Sequence, residues 1–527
     1  MDRPDRLVRQ HIVRGLVAGL LSAAAALGVA ELIAAILGNA GSPVIAVGST
    51  FVDATPRWLK EFAIQTFGEN DKNALLVGIG VTIALVAAAI GIVAQWRPRA
   101  GVVAVGVLGL VPAVAAVSRP TGRAIDAIPA IAGAVVGAGF LWVLSRPSPE
   151  LSRARAEVGD AANPRAATSD STLSRRSFLL VASAAAVVAA TAGVVGRVLI
   201  SGRMDVEALR GALRLPAPTD PAPTVPANVD LKVAGLSSFI TPNAEFYRID
   251  TALAVPYVDA DSWRLRIHGM VEHEASYSFD DLLSMPLIER DVTLTCVSNE
   301  VGGELIGNAR WLGVSLQRLL QDVRPASDAS QVVSRSVDGM TIGTPVQALL
   351  DGRDAMLAVG MNGEPLPVEH GFPVRMVVPG LYGYVSACKW LTDMEFTTFD
   401  AYDAYWVQRG WVPQAPIKLS SRIDTPRQKS HVSGDVTVAG VAWEQHVGVK
   451  AVEVQVDGGD WQVAQLAASG GIDSWRQWVW QWQAPSSGAH TLAVRATDAD
   501  GNVQTGELAE PFPSGATGWH QIEVTVD

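Results

Sequence analysis

Val292-Thr293-Leu294-Thr295-Cys296-Val297-Ser298-Asn299-Glu300 reads as a strand that ends on a cysteine and breaks into a polar loop. The β-branched residues up to Thr295 suit a pleated, half-buried segment. Ser-Asn-Glu suits the loop that follows. A thiol at a strand end is well placed to ligate a soft metal. A buried free cysteine fits the same nine residues equally well. Sequence downstream bears on the choice. Glu369-His370-Gly371-Phe372-Pro373-Val374-Arg375 sets a His and an Arg around Gly and Pro, and Val377-Val378-Pro379-Gly380 continues it. Ser386-Ala387-Cys388-Lys389-Trp390-Leu391 then adds a Lys. Such side chains held in rigid turns are what an anionic, phosphate-bearing cofactor requires. A solvated charge cluster does not normally sit among so many Gly, Pro and aromatic residues.

Together with Gly307-Asn308-Ala309-Arg310-Trp311-Leu312-Gly313-Val314, these segments resemble the molybdopterin-binding domain of sulfite oxidase and its relatives, over about residues 238–400. The resemblance implies a mixed α+β domain with one pterin and one molybdenum. It implies Cys296 as the catalytic thiolate on the metal. His370, Arg375 and Lys389 would hold the pterin and its phosphate, with the backbone of Ala387 and Cys388 beside them. Asn243, Phe246, Tyr247 and Arg248 would contact the cofactor from the other side, and Asp338, in Ser336-Val337-Asp338-Gly339, would add a further contact. Cys388 packs or lends its backbone in this reading and does not bind metal.

The family's chemistry is two-electron oxygen-atom transfer, and its direction stays open between oxidation and reduction. In sulfite-oxidising relatives the loop after the metal cysteine reads Cys-Ala-Gly-Asn-Arg-Arg. Here it reads Cys296-Val297-Ser298-Asn299-Glu300-Val301, so both Arg positions are gone. A tyrosine near the metal in an Arg-Arg-Asp-Tyr context corresponds here to Gln408-Arg409-Gly410-Trp411. The expectation is a less cationic, more aromatic pocket for a small-molecule or protein S- or N-oxide, with the Glu300 carboxylate near its entrance. Sulfite oxidation proper is the alternative, if Arg248 and an Arg from the C-terminal module restore the charge. A non-catalytic membrane scaffold is a second alternative, which metal analysis separates from the enzyme.

The C-terminal stretch alternates as strands do, in Ala451-Val452-Glu453-Val454-Gln455-Val456 and in His490-Thr491-Leu492-Ala493-Val494-Arg495-Ala496. Asp457-Gly458-Gly459-Asp460 and Asp498-Ala499-Asp500-Gly501 supply the turns. An immunoglobulin-like β-sandwich fits that spacing. Its place after the cofactor domain matches the family's dimerisation domain, so a homodimer is expected. Trp475, Trp478, Trp480 and Trp482 form either core with an edge face or a protein contact.

The chain has 527 residues, 49% of them hydrophobic, with a net charge of −11 that argues against nucleic acid as a partner. Its two cysteines, Cys296 and Cys388, offer no disulfide framework. Most of the long apolar runs precede residue 201. Five, at roughly 15–38, 74–95, 101–117, 127–144 and 178–200, have about the length a bilayer demands. Arg3, Arg6, Arg9 and Arg14, then Arg97 and Arg99, then Arg146 through Arg176 fall on one side of a five-span arrangement, which marks that side as cytoplasmic. Arg119 and Arg123 are the exceptions. Ser174-Arg175-Arg176-Ser177-Phe178-Leu179 before the last apolar run resembles a twin-arginine export signal. A domain that folds around a cofactor made in the cytoplasm has to cross already folded. The spans lack paired axial ligands for haem, and no Cys-x-x-Cys-His occurs. No haem is therefore expected, and a separate electron carrier or membrane redox partner is implied.

The expected organisation is multi-domain: an α-helical transmembrane anchor, an α+β sulfite-oxidase-like molybdopterin-binding domain and a C-terminal immunoglobulin-like β-sandwich. Residues 1–145 make a four-span region, 146–177 a cytoplasmic linker, and 178–200 a fifth transmembrane helix with the twin-arginine-like signal. Residues 201–237 make an extended tether, 238–412 the catalytic domain and 413–527 the dimerisation-like sandwich. The protein is expected in the cytoplasmic membrane, multi-pass, with its catalytic domain on the extracytoplasmic side.

Overall fold

The computed structural model describes residues 3–37, 42–56, 59, 66, 71–119, 122–146, 174–203, 206–253, 255–483 and 487–527. The linker expected over 146–177 lies almost wholly outside the described residues. The chain divides into two compact units, Met1–Asp205 with Ala252–Ala254, and Val206–Thr251 with Val255–Asp527.

The first unit is helical. Its main elements are α1 (Arg3–Leu37), α2 (Pro43–Ala54), α3 (Asp71–Trp96), α4 (Pro98–Val117), α5 (Ile128–Leu144) and α6 (Arg175–Arg203). Five stretches are long and apolar enough to cross a membrane: His11–Leu37, Ala74–Trp96, Pro98–Val117, Ala124–Leu144 and Arg176–Val195. The α2 helix was not anticipated. It is apolar, N-capped by Ser42, and at 12 residues too short to span. α1 packs against α3, α5 and α6. Small residues allow the close approach, since a Cβ on Gly19 would lie 2.0 Å from the Ala87 carbonyl oxygen. Glu31, the carboxylate within the first span, accepts a hydrogen bond from the Ser42 hydroxyl at 2.8 Å.

The second unit carries the sheets. β1 (Arg264–Gly269) and β2 (Ala275–Ser278) precede a hairpin of β3 (Leu287–Thr295) and β4 (Ile306–Ser315). β5 (Gln331–Ser336), β6 (Thr341–Pro345), β7 (Met356–Met361), β8 (Glu364–Pro365), β9 (Arg375–Val377) and β10 (Leu391–Thr397) follow. They form two sheets of order β2-β1-β10-β5-β6 and β3-β4-β7-β8, with β9 paired to β7. The β1–β10 pair is parallel and the other pairs in these sheets antiparallel. With short helices such as Leu316–Val323 between strands, this is the mixed α+β arrangement expected. Burial alternates along Trp263–Ile267: Trp263, Leu265 and Ile267 are buried, while Arg264 and Arg266 are exposed.

The C-terminal part folds into two antiparallel-rich sheets. One has the order β11 (Ser420–Thr425), β13 (Asp435–Trp443), β17 (Arg476–Gln483) and β16 (Gln465–Leu466). The other runs β12 (His431–Val432), β19 (His520–Val526), β18 (Gly488–Asp498), β14 (Val449–Val456) and β15 (Gln462–Val463). Val438, Val452, Val454, Leu492 and Val494 interleave as its core. Trp475, Trp478 and Trp482 are buried and Trp480 is partly buried, so the tryptophan cluster is chiefly core.

The segment expected as an extended tether is more structured than that. Val206–Ala212 is a helix. Beyond it, Thr219 N–H donates to the Leu287 carbonyl at 2.9 Å and Glu289 N–H to the Asp220 carbonyl at 2.9 Å. The Pro-rich chain thus lies along the open edge of β3. An unpaired edge strand offers backbone groups that an extended segment can satisfy, and this outweighs the freedom of a linker.

Candidate active site

Three local structures build one cleft. The first is the end of β3. Cys296 follows its last residue, with its N–H bonded to the Leu305 carbonyl (3.0 Å) and its carbonyl accepting from Asn299 N–H (3.0 Å). The second is the turn Val368–His370 leading into β9. Gly371 there takes φ +111°, and a Cβ on it would lie 3.1 Å from the Cβ atoms of Arg375 and Lys389. The third is the short helix Gly383–Ser386 and the residues after it. The cleft between them has an empty volume of about 970 Å³.

Nine of the eleven residues expected at the site line this cleft: Phe246, Tyr247, Cys296, Asp338, His370, Arg375, Ala387, Cys388 and Lys389. Asn243 and Arg248 stand off it. Asn243 is clamped by Glu364 (2.6 Å) and Asn362 (2.7 Å), and its carbonyl takes the His370 Nε2 hydrogen bond at 3.1 Å. It supports His370 from behind. Arg248 pairs with Asp250 at 2.9 Å, and Asp250 pairs with the Lys389 ammonium at 2.9 Å. Arg248 is thus one step removed from the cleft.

Electrostatics sort the basic groups. Burial, then the Arg375 charge, pushes His370 down to about 4, so it is neutral at physiological pH. A neutral ring whose Nε2 faces a carbonyl carries its proton there and leaves Nδ1 as an acceptor. His370 is thereby left with Nδ1 as a hydrogen-bond acceptor. Lys389 is pulled down to about 8 by burial, with Asp250 opposing. Arg375 is pulled down to about 10 by burial. Its Nη1 donates to the His370 carbonyl at 3.1 Å, and its guanidinium lies 4.9 Å from the Trp311 ring centre. Burial raises the Cys296 thiol, while the Ser298 N–H and hydroxyl oppose this by favouring the thiolate. Cys388 is buried and its thiol is likewise raised by burial, consistent with packing.

Two buried polar atoms of cleft residues, Arg375 Nε and Ser336 Oγ, lack a hydrogen-bond partner among the described residues. Leaving a buried donor unmet costs about 1–3 kcal/mol. An anionic, hydrogen-bonding group in the cleft would meet them, so the residues present fit a phosphate-bearing pterin.

Several lining residues escaped sequence reading. Asp250, 4% exposed, lies two residues beyond the flagged Arg248, and a carboxylate amid expected cations was the available signal. Ser336 begins the Ser-Val-Asp-Gly turn from which only Asp338 was drawn. Tyr384 and Trp406 had no signal of their own. They form an aromatic wall with Trp411: Tyr384–Trp411 centroids are 5.7 Å apart and Trp406–Trp411 6.4 Å. Glu300, expected near the entrance, is exposed and does not line the cleft. The loop from Asn299 to Gly303 turns it away, closed by the Gly303 N–H bond to the Glu300 carbonyl (2.9 Å).

Residues 252–406 match the oxidoreductase molybdopterin binding domain, and 420–494 match a bacterial Ig domain. The chain is 32% identical over 341 residues to mitochondrial sulfite oxidase of Macaca fascicularis, covering 55% of this chain and 62% of that protein. It therefore spans somewhat under two thirds of that relative's length. It is 30% identical over 337 residues to sulfite oxidase of Gallus gallus, covering 54% of this chain and 72% of that one. It is 34% identical over 158 residues to the uncharacterized oxidoreductase YuiH of Bacillus subtilis (strain 168), covering 30% of this chain and 76% of that one.

Proposed function

Because the chain belongs to the sulfite-oxidase family of molybdopterin-dependent oxidoreductases, we propose that it catalyses two-electron oxygen-atom transfer on an organic S- or N-oxide-type substrate, from a membrane anchor. The observation that carries the substrate class is the composition of the cleft wall. Among the described residues, its basic side chains are His370, Arg375 and Lys389. His370 is neutral, Lys389 is paired with Asp250, and all three are the cofactor's proposed holders. The rest of the wall beside Cys296 is chiefly apolar and aromatic, including Val297, Ile249, Tyr384, Trp406 and Trp411. A small dianion needs fixed positive charge, for which Arg is suited. The two arginines that could supply it are engaged elsewhere: Arg248 with Asp250, and Arg422 of the sandwich with Asp424 at 2.6 Å.

In this reading Cys296 would hold molybdenum through its sulfur, Arg375 and Lys389 would hold the pterin phosphate, and His370 would offer Nδ1 as an acceptor to the cofactor. The metal supplies the two-electron oxygen exchange when bound. Burial in the cleft keeps the Tyr247 hydroxyl protonated at neutral pH, so it serves as a hydrogen-bond donor. The aromatic wall holds the organic part of the substrate and excludes water. A sulfoxide takes up two electrons and two protons and leaves as thioether and water. The electrons come from a separate carrier.

The anchor has five spans in this proposal, with the catalytic unit on the extracytoplasmic side of the cytoplasmic membrane. The arginine pattern supports that sidedness. Reporter fusions at Ser148 and after Ile200 should report opposite sides, and the same side for both would reject it. The substrate reading is tested on molybdenum-loaded full-length protein. Sulfoxide or N-oxide reduction by a reduced dye is expected. Sulfite turnover with micromolar apparent affinity would overturn the reading in favour of sulfite oxidation.

A further inference from the structure

Cys296 sits at the end of an edge strand. β3 is paired to β4 along one side only, so the backbone groups of its other side need partners from elsewhere. The Thr219–Asp220 segment serves the first half of the strand, near Leu287 and Glu289. The β-sandwich serves the half that leads into the cysteine. Thr293 N–H donates to the Asp473 carbonyl (2.9 Å), and the Ser474 hydroxyl donates to the Asp291 carbonyl (3.0 Å). Trp475 N–H donates to the Thr293 hydroxyl (2.8 Å). Gln445, 2% exposed, donates its side-chain amide to both the Thr293 carbonyl and the Thr295 hydroxyl, each at 3.0 Å.

The loop beyond the cysteine is held by the same domain. Arg422, itself buried, donates Nη1 to the Gly303 carbonyl at 2.7 Å. Its Nε and Nη2 are committed to Asp424 (2.6 Å) and Ser237 (2.9 Å), so the guanidinium cannot drift. Gly302 lies against His520 so closely that a Cβ there would be 2.3 Å from the ring. Both flanks of Cys296 are therefore hydrogen-bonded by a domain that contributes no side chain to the cleft wall among the described residues.

We propose that Gln445 and Arg422 are positioning residues for the Cys296 thiolate, which makes the β-sandwich a working part of the metal site and not only a dimerisation module. The inference rests on the reading of Cys296 as the molybdenum ligand. A buried amide with two fixed acceptors defines where Thr295 lies, and Thr295 is covalently next to the thiol. Partners outside the ligand set orient ligands and tune the metal.

The test compares full-length molybdenum-loaded wild type, Cys296→Ser and Gln445→Leu. Metal content, the thiolate-to-metal charge-transfer absorption and steady-state kinetics are measured for each. Wild type should show the absorption and Cys296→Ser should lose it. Gln445→Leu should keep its metal, shift the absorption and lose about 10- to 100-fold in kcat with KM little changed. A wild-type absorption and kcat in Gln445→Leu would overturn this inference while leaving the site reading intact. A wild type without molybdenum or without the thiolate absorption would overturn both. If Gln445→Leu does not accumulate, Thr295→Val carries the test, because it removes only the hydroxyl half of the link at nearly constant volume. A smaller shift in the same direction is expected there, and unchanged absorption and kcat would sink the proposal.

Discussion

Replacing Asp250 with Asn leaves a buried lysine without its counter-charge. The Lys389 and Asp250 side chains are 10% and 4% exposed, and their charged atoms are 2.9 Å apart. Burial alone draws Lys389 well below its ordinary value, and it reaches about 8 only because Asp250 pulls it back up. Near neutral pH the ammonium is charged and depends on that carboxylate. Removing one partner of a buried pair costs about 3–5 kcal/mol. The Glu369 carbonyl still accepts from Lys389 at 3.2 Å, which points to the lower end of that range.

The sign of the pH dependence follows from the depressed lysine. Below about pH 8 folded and unfolded chains both hold the proton, and the burial penalty is fully present. Between about 8 and the ordinary 10.5 only the unfolded chain holds it, so stability rises with pH; above 10.5 the penalty is gone. In Asp250→Asn the lysine sheds its proton at a lower pH still. The gap between variant and wild type is then widest in mild acid and closes as pH rises through about 8. Thermal unfolding of full-length, cofactor-free protein, followed by tryptophan fluorescence, measures this. With Lys389 titrating at about 8, this linkage allows at most about 2 kcal/mol at about pH 6.5, so at roughly 2 °C per kcal/mol the variant should melt about 4 °C lower there. It should approach wild type near pH 9.5. An equal drop at both pH values, or none at pH 6.5, would refute the ion-pair reasoning.

Cys296→Ser should retain much of the pterin yet lose turnover, because the proposed anchoring contacts at Arg375 and Lys389 are separate from the thiol; full activity would remove Cys296 as a ligand. Gly371→Ala should destabilise the catalytic unit by about 1–3 kcal/mol and weaken cofactor retention. Its φ of +111° disfavours a side chain, and the new Cβ would press on Arg375 and Lys389; an unchanged melting temperature and cofactor content would contradict the tight-turn account. Changing Arg175 and Arg176 together to Lys should abolish assembly of the molybdenum-loaded catalytic unit on the proposed extracytoplasmic side. Normal loading and placement would show that the two charges act only as topology determinants.

Much of the cofactor half of the site was legible because its chemistry is carried by short segments. His370, Gly371 and Arg375 belong to one turn, and Ala387, Cys388 and Lys389 are consecutive. Local backbone geometry in such segments fixes which side chains share a face. The substrate half was less legible. Trp411 was readable as a replacement, but Tyr384 and Trp406 reach the same wall only through packing, and a tryptophan in sequence announces core as readily as pocket. Glu300 misled because its neighbours in sequence are site residues. A tight turn two residues after Ser298 sends its side chain to solvent, and nothing in its identity shows that.

The sequence by itself determined the apolar spans and the β-sandwich, because hydrophobic periodicity and turn chemistry are local properties, while the α+β domain followed from the family resemblance carried by its motifs. It determined the thiol, the arginine and the lysine of the cleft for the same reason. Tertiary structure alone decided how those groups behave. Lys389 meets Asp250 across 139 residues of chain, and Gln445 meets Thr295 across 150. Pairings over such separations are set by how sheets and domains pack. Desolvation, which makes His370 neutral and pulls Lys389 down, exists only once that packing has removed the water.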